Sequence, residues 1–152
     1  MTKFVGPIAL IRHPDRGEGL WLALWNTEAR QFEFVTAPRL ESESYRECID
    51  REIAWRLRLR RSRDYIVSSV ARLHLDAPLP SPGDAGVTFF VVEFYVVDLY
   101  GGSAWVTVNN NPDTRWLSSQ ELLSGECHEG KPVSGQLVML LKKADVITNS
   151  SA

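Results

Sequence analysis

Carboxylates and guanidinium groups are concentrated in one short stretch of the chain, where either could do chemistry. Residues 51–63 hold six arginines and a single carboxylate, Glu52, so this stretch is strongly basic in a chain whose net charge is −2. Carboxylates are ligands for hard divalent cations, and planar guanidinium groups match the oxygens of a phosphate. The stretch is therefore a candidate for a metal site or for an anion site, depending on the element that positions these side chains.

The residues that precede this stretch predict a helix. Ser44 and Glu47 have the spacing of a capping box, and the apolar residues that follow recur at helical intervals at Tyr45, Ile49, Ile53 and Leu57. We expect a helix of about four turns from Ser44 to Leu57. Glu52 and Arg56 are four residues apart on this helix, with the acid before the base, so we expect them to form an ion pair.

The rest of the chain predicts strands with a few helices between them. Composition and alternation indicate strands over residues 4–13, 20–26, 31–34, 65–75, 87–99 and 104–108, a proline-rich loop over 76–84, a short helix over 118–123 and a last helix capped by Ser134. This order predicts an α+β fold, an α/β/α sandwich in which helices flank a mixed β-sheet. We expect a single domain over 1–147 and a frayed tail over 148–152.

Composition argues against several classes of protein. With 152 residues, the chain has the length of one domain. Cys48 and Cys127 are far apart and only three histidines are present, which argues against a zinc knuckle or a disulfide scaffold and favours reduced thiols in the cytoplasm. Glu93 interrupts the longest apolar run, so we expect no membrane span. A pI of about 5.9 argues against a nucleic acid partner.

Residues 37–59 resemble the Nudix box, whose pattern is Gly, five residues, Glu, seven residues, Arg-Glu, an apolar residue, any residue, Glu-Glu, any residue, Gly and an apolar residue. The matching residues are Glu43, Arg51, Glu52, Ile53 and Leu59. Ala37 and Arg58 stand at the two glycine positions, and Trp55 and Arg56 stand where the family has its paired glutamates. Residues 115–117 and 121–123 also resemble the tryptophan strand and short helix that follow in this family.

The resemblance implies the fold of a family that hydrolyses nucleoside diphosphates linked to another group, using Mg²⁺ or Mn²⁺ held by helix carboxylates. Of the three matching carboxylate positions, only Glu52 is still acidic in this chain. Arg56 places a fixed positive charge beside Glu52, and Trp55 adds bulk. We therefore expect that the metal site is lost and that no cofactor is bound. Because residues 20–82 contain no glycine, the loop into the helix cannot use glycine-only backbone conformations, and we expect it to differ from the family's loop.

Two functions remain open at this stage. The first is a Nudix-like domain that has lost hydrolysis and binds a nucleotide-like anion or a protein partner, with Arg51, Arg56, Arg58 and Trp55 as candidate ligand-binding residues. The second is a divergent hydrolase that needs Mg²⁺ or Mn²⁺, with Glu52 as its catalytic residue. In that case the candidate metal ligands are Glu52, Glu47 and Glu93, and Asp50, Asp98 and Glu121 are further carboxylates in reach. The sequence does not indicate an oligomeric state.

Three of these candidates have an alternative interpretation. The arginines that follow Leu57 could form an anion site or simply favour the end of a helix through its dipole, and Arg58, Arg60 and Arg61 should not all point into one cleft. Trp55 either fills the former metal cavity or faces a partner. Glu93 is expected to be exposed on one face of its strand.

Overall fold

The computed structural model describes residues 2–81 and 86–147, in which strands and helices alternate. The strands are β1 (Thr2–His13), β2 (Gly17–Asn26), β3 (Gln31–Glu33), β4 (Tyr65–Val67), β5 (Leu73–Pro80), β6 (Val87–Leu99) and β7 (Thr114–Ser118). The helices are α1 (Tyr45–Leu57), α2 (Gly102–Asn110), α3 (Ser119–Ser124) and α4 (Gly135–Ala144). The predicted frayed tail lies outside the described residues.

The strands form one mixed sheet in the order β3-β2-β1-β6-β4. In addition, β5 pairs with β6, and β7 pairs with β2. The two long central strands β1 and β6 run parallel, from Thr2 opposite Thr88 to Arg12 opposite Asp98, whereas the other pairs are antiparallel. The prediction of a mixed sheet is confirmed.

Helices cover both faces of the sheet because its central strands are apolar on both sides. In β1, Ile8 and Leu10 face a core built with α3 and α4, whereas Ala9 and Ile11 face a second core built with α1 and α2. Strands buried on both faces read as continuous apolar runs, as residues 8–11 do. The predicted α/β/α sandwich is confirmed.

Helix α1 has the predicted bounds. The Ser44 hydroxyl accepts a hydrogen bond from the Glu47 backbone N–H, and the Glu47 carboxylate accepts one from the Ser44 N–H. This reciprocal cap fixes the first turn. The buried face of the helix then carries Ile49, Ile53 and Leu57 at helical spacing, as predicted.

The predicted strand over 104–108 is wrong, because these residues lie in α2. Ala104 and Val108 are both fully buried four residues apart, which is the spacing of one helix face. The Thr114 hydroxyl donates a hydrogen bond to the Val108 carbonyl near the end of this helix. Tertiary packing thus overrides the strand propensity of the β-branched residues in this segment.

The predicted strand over 65–75 and the predicted loop over 76–84 are also different in the structure. The chain leaves the sheet after Ser68 and returns at Arg72, whose backbone N–H groups donate to carbonyls of β6. It then continues as β5 to Pro80, within the predicted loop. Residues 82–84 of that loop lie outside the described residues. Among the helices of the described ranges, none combines the length and apolar content needed to cross a membrane.

Candidate functional site

The carboxylate of Glu52 is enclosed between two guanidinium groups on α1. Its Oε1 accepts a hydrogen bond from Arg56 Nε at 3.0 Å, and its Oε2 accepts one from Arg51 Nη1 at 2.8 Å. Only 9% of the Glu52 side chain is exposed. The predicted ion pair with Arg56 is present, and the contact with Arg51 occupies the second oxygen.

Arg51 extends this contact to a second carboxylate, in the loop before α1. Its Nη2 donates to Glu43 Oε1 at 2.7 Å, and the same oxygen accepts from the Leu40 backbone N–H. These hydrogen bonds, chiefly that from Arg51, lower the pKa of Glu43 to about 2. Glu43, Arg51, Glu52 and Arg56 therefore form a continuous series of ion pairs, called here the α1 ion-pair chain, in which positive and negative charges balance.

Cys48 lies beside this chain but is not poised as a nucleophile. Its thiol is buried against the carbonyl of Ala37, and Arg51 Nη2 lies 3.5 Å from its sulfur. Burial, with a smaller contribution from Glu43, raises the pKa of the thiol to about 12. The thiolate is the nucleophilic form of cysteine, and the raised pKa keeps this thiol protonated. Cys48 is therefore suited to packing and not to nucleophilic attack.

These residues do not fit a Mg²⁺ or Mn²⁺ ion. Such ions require several oxygen ligands, and to reach both oxygens of Glu52 a cation would have to displace two guanidinium groups. Within residues 2–81 and 86–147, no group of three or more His, Cys, Asp or Glu side chains is arranged to hold a metal.

The two other predicted metal ligands are engaged elsewhere. Glu47 belongs to the helix cap, and its hydrogen bonds with Ser44 lower its pKa. Glu93 is not simply exposed, as the strand alternation had predicted, since only 22% of its side chain is accessible. It lies 3.1 Å from His74 Nδ1 and accepts a hydrogen bond from the Tyr95 hydroxyl at 2.7 Å.

The arginines after Glu52 divide between a cleft and the surface. Arg56 and Arg58 line a cleft of about 660 Å³ between the end of α1 and the turn that follows α2, called here the arginine cleft. Arg61 instead lies 3.8 Å from Asp50, and Arg63 pairs with Asp64. The arginine run thus does not act as one patch.

Arg58 adopts the backbone conformation that usually requires glycine. Its φ of 56° and ψ of 41° are left-handed, and the backbone N–H groups of Arg58 and of buried Leu59 both donate to the Ala54 carbonyl. This is the helix ending in which glycine is the common residue. The sequence analysis did not predict this conformation, because arginine rarely adopts it.

Trp55 fills no cavity. Its side chain is 75% exposed, and its neighbours one turn away along the helix surface are Arg51 and Arg58. Of the two interpretations of this residue, the filled metal cavity is wrong.

The other wall of the arginine cleft was missed by the sequence analysis. It comes from α2 and the turn before β7, with Thr107, Asn110, Asn111, Pro112 and Asp113. The three consecutive asparagines could have served as a signal, because polar side chains in a turn often line a site. The structure also has a smaller apolar pocket of about 160 Å³ on the opposite face of the sheet, between α4 and the phenylalanines Phe4, Phe34 and Phe90.

Comparison with known proteins gives a fold and no close relative. No protein-family profile and no curated protein sequence matches the chain. Among solved structures, the Escherichia coli dihydroneopterin triphosphate pyrophosphohydrolase has a TM-score of 0.56 at 11% identity, with 96% of each chain covered. RenU, a Nudix hydrolase of M. smegmatis, has a TM-score of 0.52 at 12% identity, covering 93% of this chain and 84% of its own.

A third similar structure is a protein that has been crystallised with DNA. NrtR of Shewanella oneidensis has a TM-score of 0.56 at 13% identity, covering 95% of this chain and 62% of its own, and it has also been solved with a 27mer DNA. At these identities the comparisons establish that the chain has the Nudix fold, which occurs in hydrolases and in a DNA-bound protein alike. The fold therefore neither supports nor contradicts the prediction, made from the pI, that the chain does not bind nucleic acid. Function depends on the residues of the site and not on the fold alone.

Proposed function

We propose that this chain is a Nudix-fold binding domain that does not hydrolyse diphosphates and whose ligand is a nucleotide-like anion. The observation that carries this proposal is the enclosure of Glu52 by Arg51 and Arg56. Glu52 is the only acidic residue at the three positions that match the family's helix carboxylates. A carboxylate whose two oxygens accept from guanidinium groups has poor capacity left to bind a cation or to orient an attacking water.

The charge at Arg56 supports the proposal independently of the hydrogen bonds. Metal-assisted hydrolysis depends on a cation that stabilises the charge developing on the phosphate and activates water. A fixed guanidinium group four residues from Glu52 repels a divalent cation from this end of α1 but attracts an anion. The same substitution therefore disfavours hydrolysis and favours binding.

The first experiment is a calorimetric titration with Mn²⁺ on the purified protein and on the Trp55→Glu, Arg56→Glu double variant. We expect no specific Mn²⁺ binding to the wild-type protein and measurable binding to the variant, in which glutamates again follow Glu52. The control is an Arg60→Glu, Val70→Glu variant, which makes the same change in charge at two exposed positions outside the α1 ion-pair chain. It should not gain Mn²⁺ binding.

Two results would overturn the proposal in favour of the divergent hydrolase. One is tight Mn²⁺ binding by the wild-type protein that is lost in Glu52→Gln. The other is Mg²⁺-dependent release of phosphate or nucleoside monophosphate from a library of diphosphate compounds, abolished by the same substitution.

A protein partner is the second candidate, and the exposure of Trp55 favours it. A photocrosslinking residue in place of Trp55, compared in cells with one in place of exposed Val70, tests it. One discrete product that forms only at position 55 is expected for a partner surface. Identical products at both positions would contradict it.

A further inference from the structure

We infer that the arginine cleft binds a phosphate group directly, with no metal ion, and that Arg58 is its principal contact. This inference rests on the proposed function and specifies how the anion is recognised. Its starting point is that residues from two distant parts of the sequence meet at the cleft, Arg56 and Arg58 from α1 and residues 107–113 from α2 and the turn after it.

The cleft has an excess of free hydrogen-bond donors. Among the described residues, the guanidinium group of Arg58 and the side chains of Thr107 and Asn110 make no hydrogen bond, and Arg58 makes no ion pair. Arg56 uses only its Nε towards Glu52, so both of its terminal nitrogens remain available. Asp113 is the single acidic residue that lines the cleft. Two guanidinium groups facing a single carboxylate leave the cleft with a net positive charge, which suits an anionic ligand that accepts hydrogen bonds.

Phosphate fits these donors better than a compact halide or a neutral group. Guanidinium groups present paired N–H donors in a fixed plane, which match two oxygens of one phosphate. Arg56 and Arg58 can each offer such a pair, and Asn110 adds an amide donor from the other wall. The apolar side chains of Leu24, Leu57 and Pro112 also line the cleft, where they reduce competition from water.

The wall opposite the arginines is fixed before any ligand arrives. Asn111 Oδ1 accepts from the Asp113 backbone N–H at 3.0 Å, and the Asp113 carbonyl accepts from the Trp25 N–H at 2.8 Å. The hydroxyl of Thr114 donates to the Val108 carbonyl at 2.7 Å. A binding site whose walls are already ordered loses less conformational entropy when the ligand binds.

The backbone at Arg58 is left-handed, as it is at three other non-glycine residues among those described, and it adds a cost in stability that a binding role of the side chain would offset. Glycine adopts this left-handed conformation without strain, and an arginine adopts it at a cost in stability. The packing that closes the end of α1 comes from buried Leu59, and Arg58 is exposed. Direct contact with an anionic ligand gives this arginine a role that glycine could not supply.

The experiment is a calorimetric titration with pyrophosphate, and separately with inorganic phosphate, in buffer containing EDTA. We expect the wild-type protein to bind pyrophosphate under these metal-free conditions and Arg58→Gly to bind it about tenfold or more weakly. Arg60→Ala removes an arginine two residues away that does not line the cleft and should leave binding within about twofold. Asp113→Asn removes the one negative charge in the cleft and should strengthen binding.

Thermal unfolding of each variant separates loss of binding from loss of folding. Arg58→Gly should retain or raise the melting temperature while it loses pyrophosphate, which damage to the fold would not produce. Unchanged binding in Arg58→Gly, or no pyrophosphate binding by the wild-type protein, would overturn the inference. A wild-type protein that binds neither pyrophosphate nor Mn²⁺ and does not hydrolyse diphosphates would overturn this anion site. The proposed loss of hydrolysis would still stand. Hydrolysis that depends on Mg²⁺ would instead remove the proposed function itself.

Discussion

At the scale of single residues, Arg56 changes the chemistry of α1 more than the absence of a glutamate would. An alanine at this position would remove one potential metal ligand and leave one oxygen of Glu52 free. Arg56 also occupies an oxygen of Glu52 and adds a positive charge, and Arg51 occupies the other oxygen. One substitution therefore alters the ligands, the charge and the accessibility of the site together.

Glu52→Gln tests how strongly the α1 ion-pair chain depends on this carboxylate. We expect the free energy of unfolding to fall by about 1–2 kcal/mol, because the variant leaves two half-exposed guanidinium groups without their buried counter-charge. Urea denaturation measures the change. Exposed Glu41→Gln makes the same chemical change outside the chain and should shift the value by less than about 0.5 kcal/mol. Equal effects of the two substitutions would contradict this prediction.

Sequence predicted one contact of Glu52 and missed the other. The pair with Arg56 follows from helical spacing, because residues four apart lie on one face. The contact with Arg51 does not, because adjacent residues on a helix point about 100° apart and only the length of the arginine side chain brings them together. The partner of Glu93 was missed for another reason, since a local pattern does not show that β5 pairs with β6 and brings His74 opposite Glu93.

At the scale of elements, both ends of α1 are closed by hydrogen bonds, from side chains at the first turn and from the backbone at the last. Ser44 and Glu47 satisfy donors of the first turn, and Ala54 accepts from the two residues that follow the helix. The second ending uses Arg58 where glycine is usual. Substitutions of Arg58 therefore measure how much free energy of unfolding is lost by having an arginine in this left-handed conformation.

Arg58→Gly should raise the free energy of unfolding by about 0.5–1 kcal/mol, because glycine relieves the left-handed strain although it loses more backbone entropy on folding. Arg58→Ala removes the same guanidinium group and keeps the strain, so it should change stability by less. Urea denaturation of both variants gives the comparison. A lower stability of Arg58→Gly than of Arg58→Ala would contradict the prediction, because the entropy that glycine loses on folding would then outweigh the relief of strain.

Strands β5 and β6 are joined by an ion pair that depends on pH. Glu93, and to a lesser extent Asp76, raise the pKa of His74 above its ordinary value of 6.5. A group whose pKa is raised in the folded state stabilises the fold fully at pH values below its pKa in the unfolded chain. This stabilisation is lost as the pH rises through the pKa of the folded state. The advantage of the wild-type protein over His74→Gln should therefore be larger near about pH 5.5 than near about pH 8.5.

Chemical denaturation across this pH range measures that advantage. In Glu93→Gln the pH-dependent part should shrink, because the larger of the two carboxylate contacts is removed. An advantage that stayed constant with pH, or that grew above pH 6.5, would contradict the assignment of His74 as the titrating group.

Two elements escaped sequence-based prediction for physical reasons. Pro78 and Pro80 indicated a loop, yet β5 pairs with β6 alone, and prolines two residues apart can both direct their missing N–H away from a single partner strand. Residues of α2 favour a strand by composition, and only the burial of Ala104 and Val108 against the second core selects the helix. Both outcomes depend on neighbours that a local pattern does not contain.

At the scale of the whole molecule, the loop before α1 is pressed closely against the central strand. The Ala37 carbonyl lies beside Gly6 of β1, where a side chain would have no space, and the Arg39 backbone N–H donates to the Val5 carbonyl. These contacts hold the loop that carries Glu43 at a fixed distance from the sheet. The position of the α1 ion-pair chain thus depends on a residue in the first strand.

Gly6→Ala should lower the free energy of unfolding by about 1–3 kcal/mol, because the added methyl group would overlap with the Ala37 carbonyl. Gly102→Ala adds the same methyl group where the structure has open space and serves as the control. Thermal and urea unfolding of the two variants give the comparison. Equal stabilities would mean that the loop moves away from the strand without loss.

The architecture of the whole molecule was predictable, and the cleft was not. The order of elements and the apolar runs of the central strands, such as residues 8–11, were sufficient for an α/β/α sandwich. The arginine cleft instead joins Arg58 to residues 107–113, about fifty positions away, and it depends on how α2 packs. Because the sequence analysis assigned part of α2 to a strand, no local reasoning could place Asn110 opposite Arg58.

The two closed ends of α1 have a consequence for how this fold can diversify. Neither the capping residues nor the apolar residues beneath the helix include positions 55 and 56, so both side chains can change without removing a cap or a core contact. A helix that attracts cations and one that attracts anions would then differ by two codons. Reversal of ion preference would then need only these two substitutions, and its cost in stability would be the loss of the ion pair between Arg56 and buried Glu52.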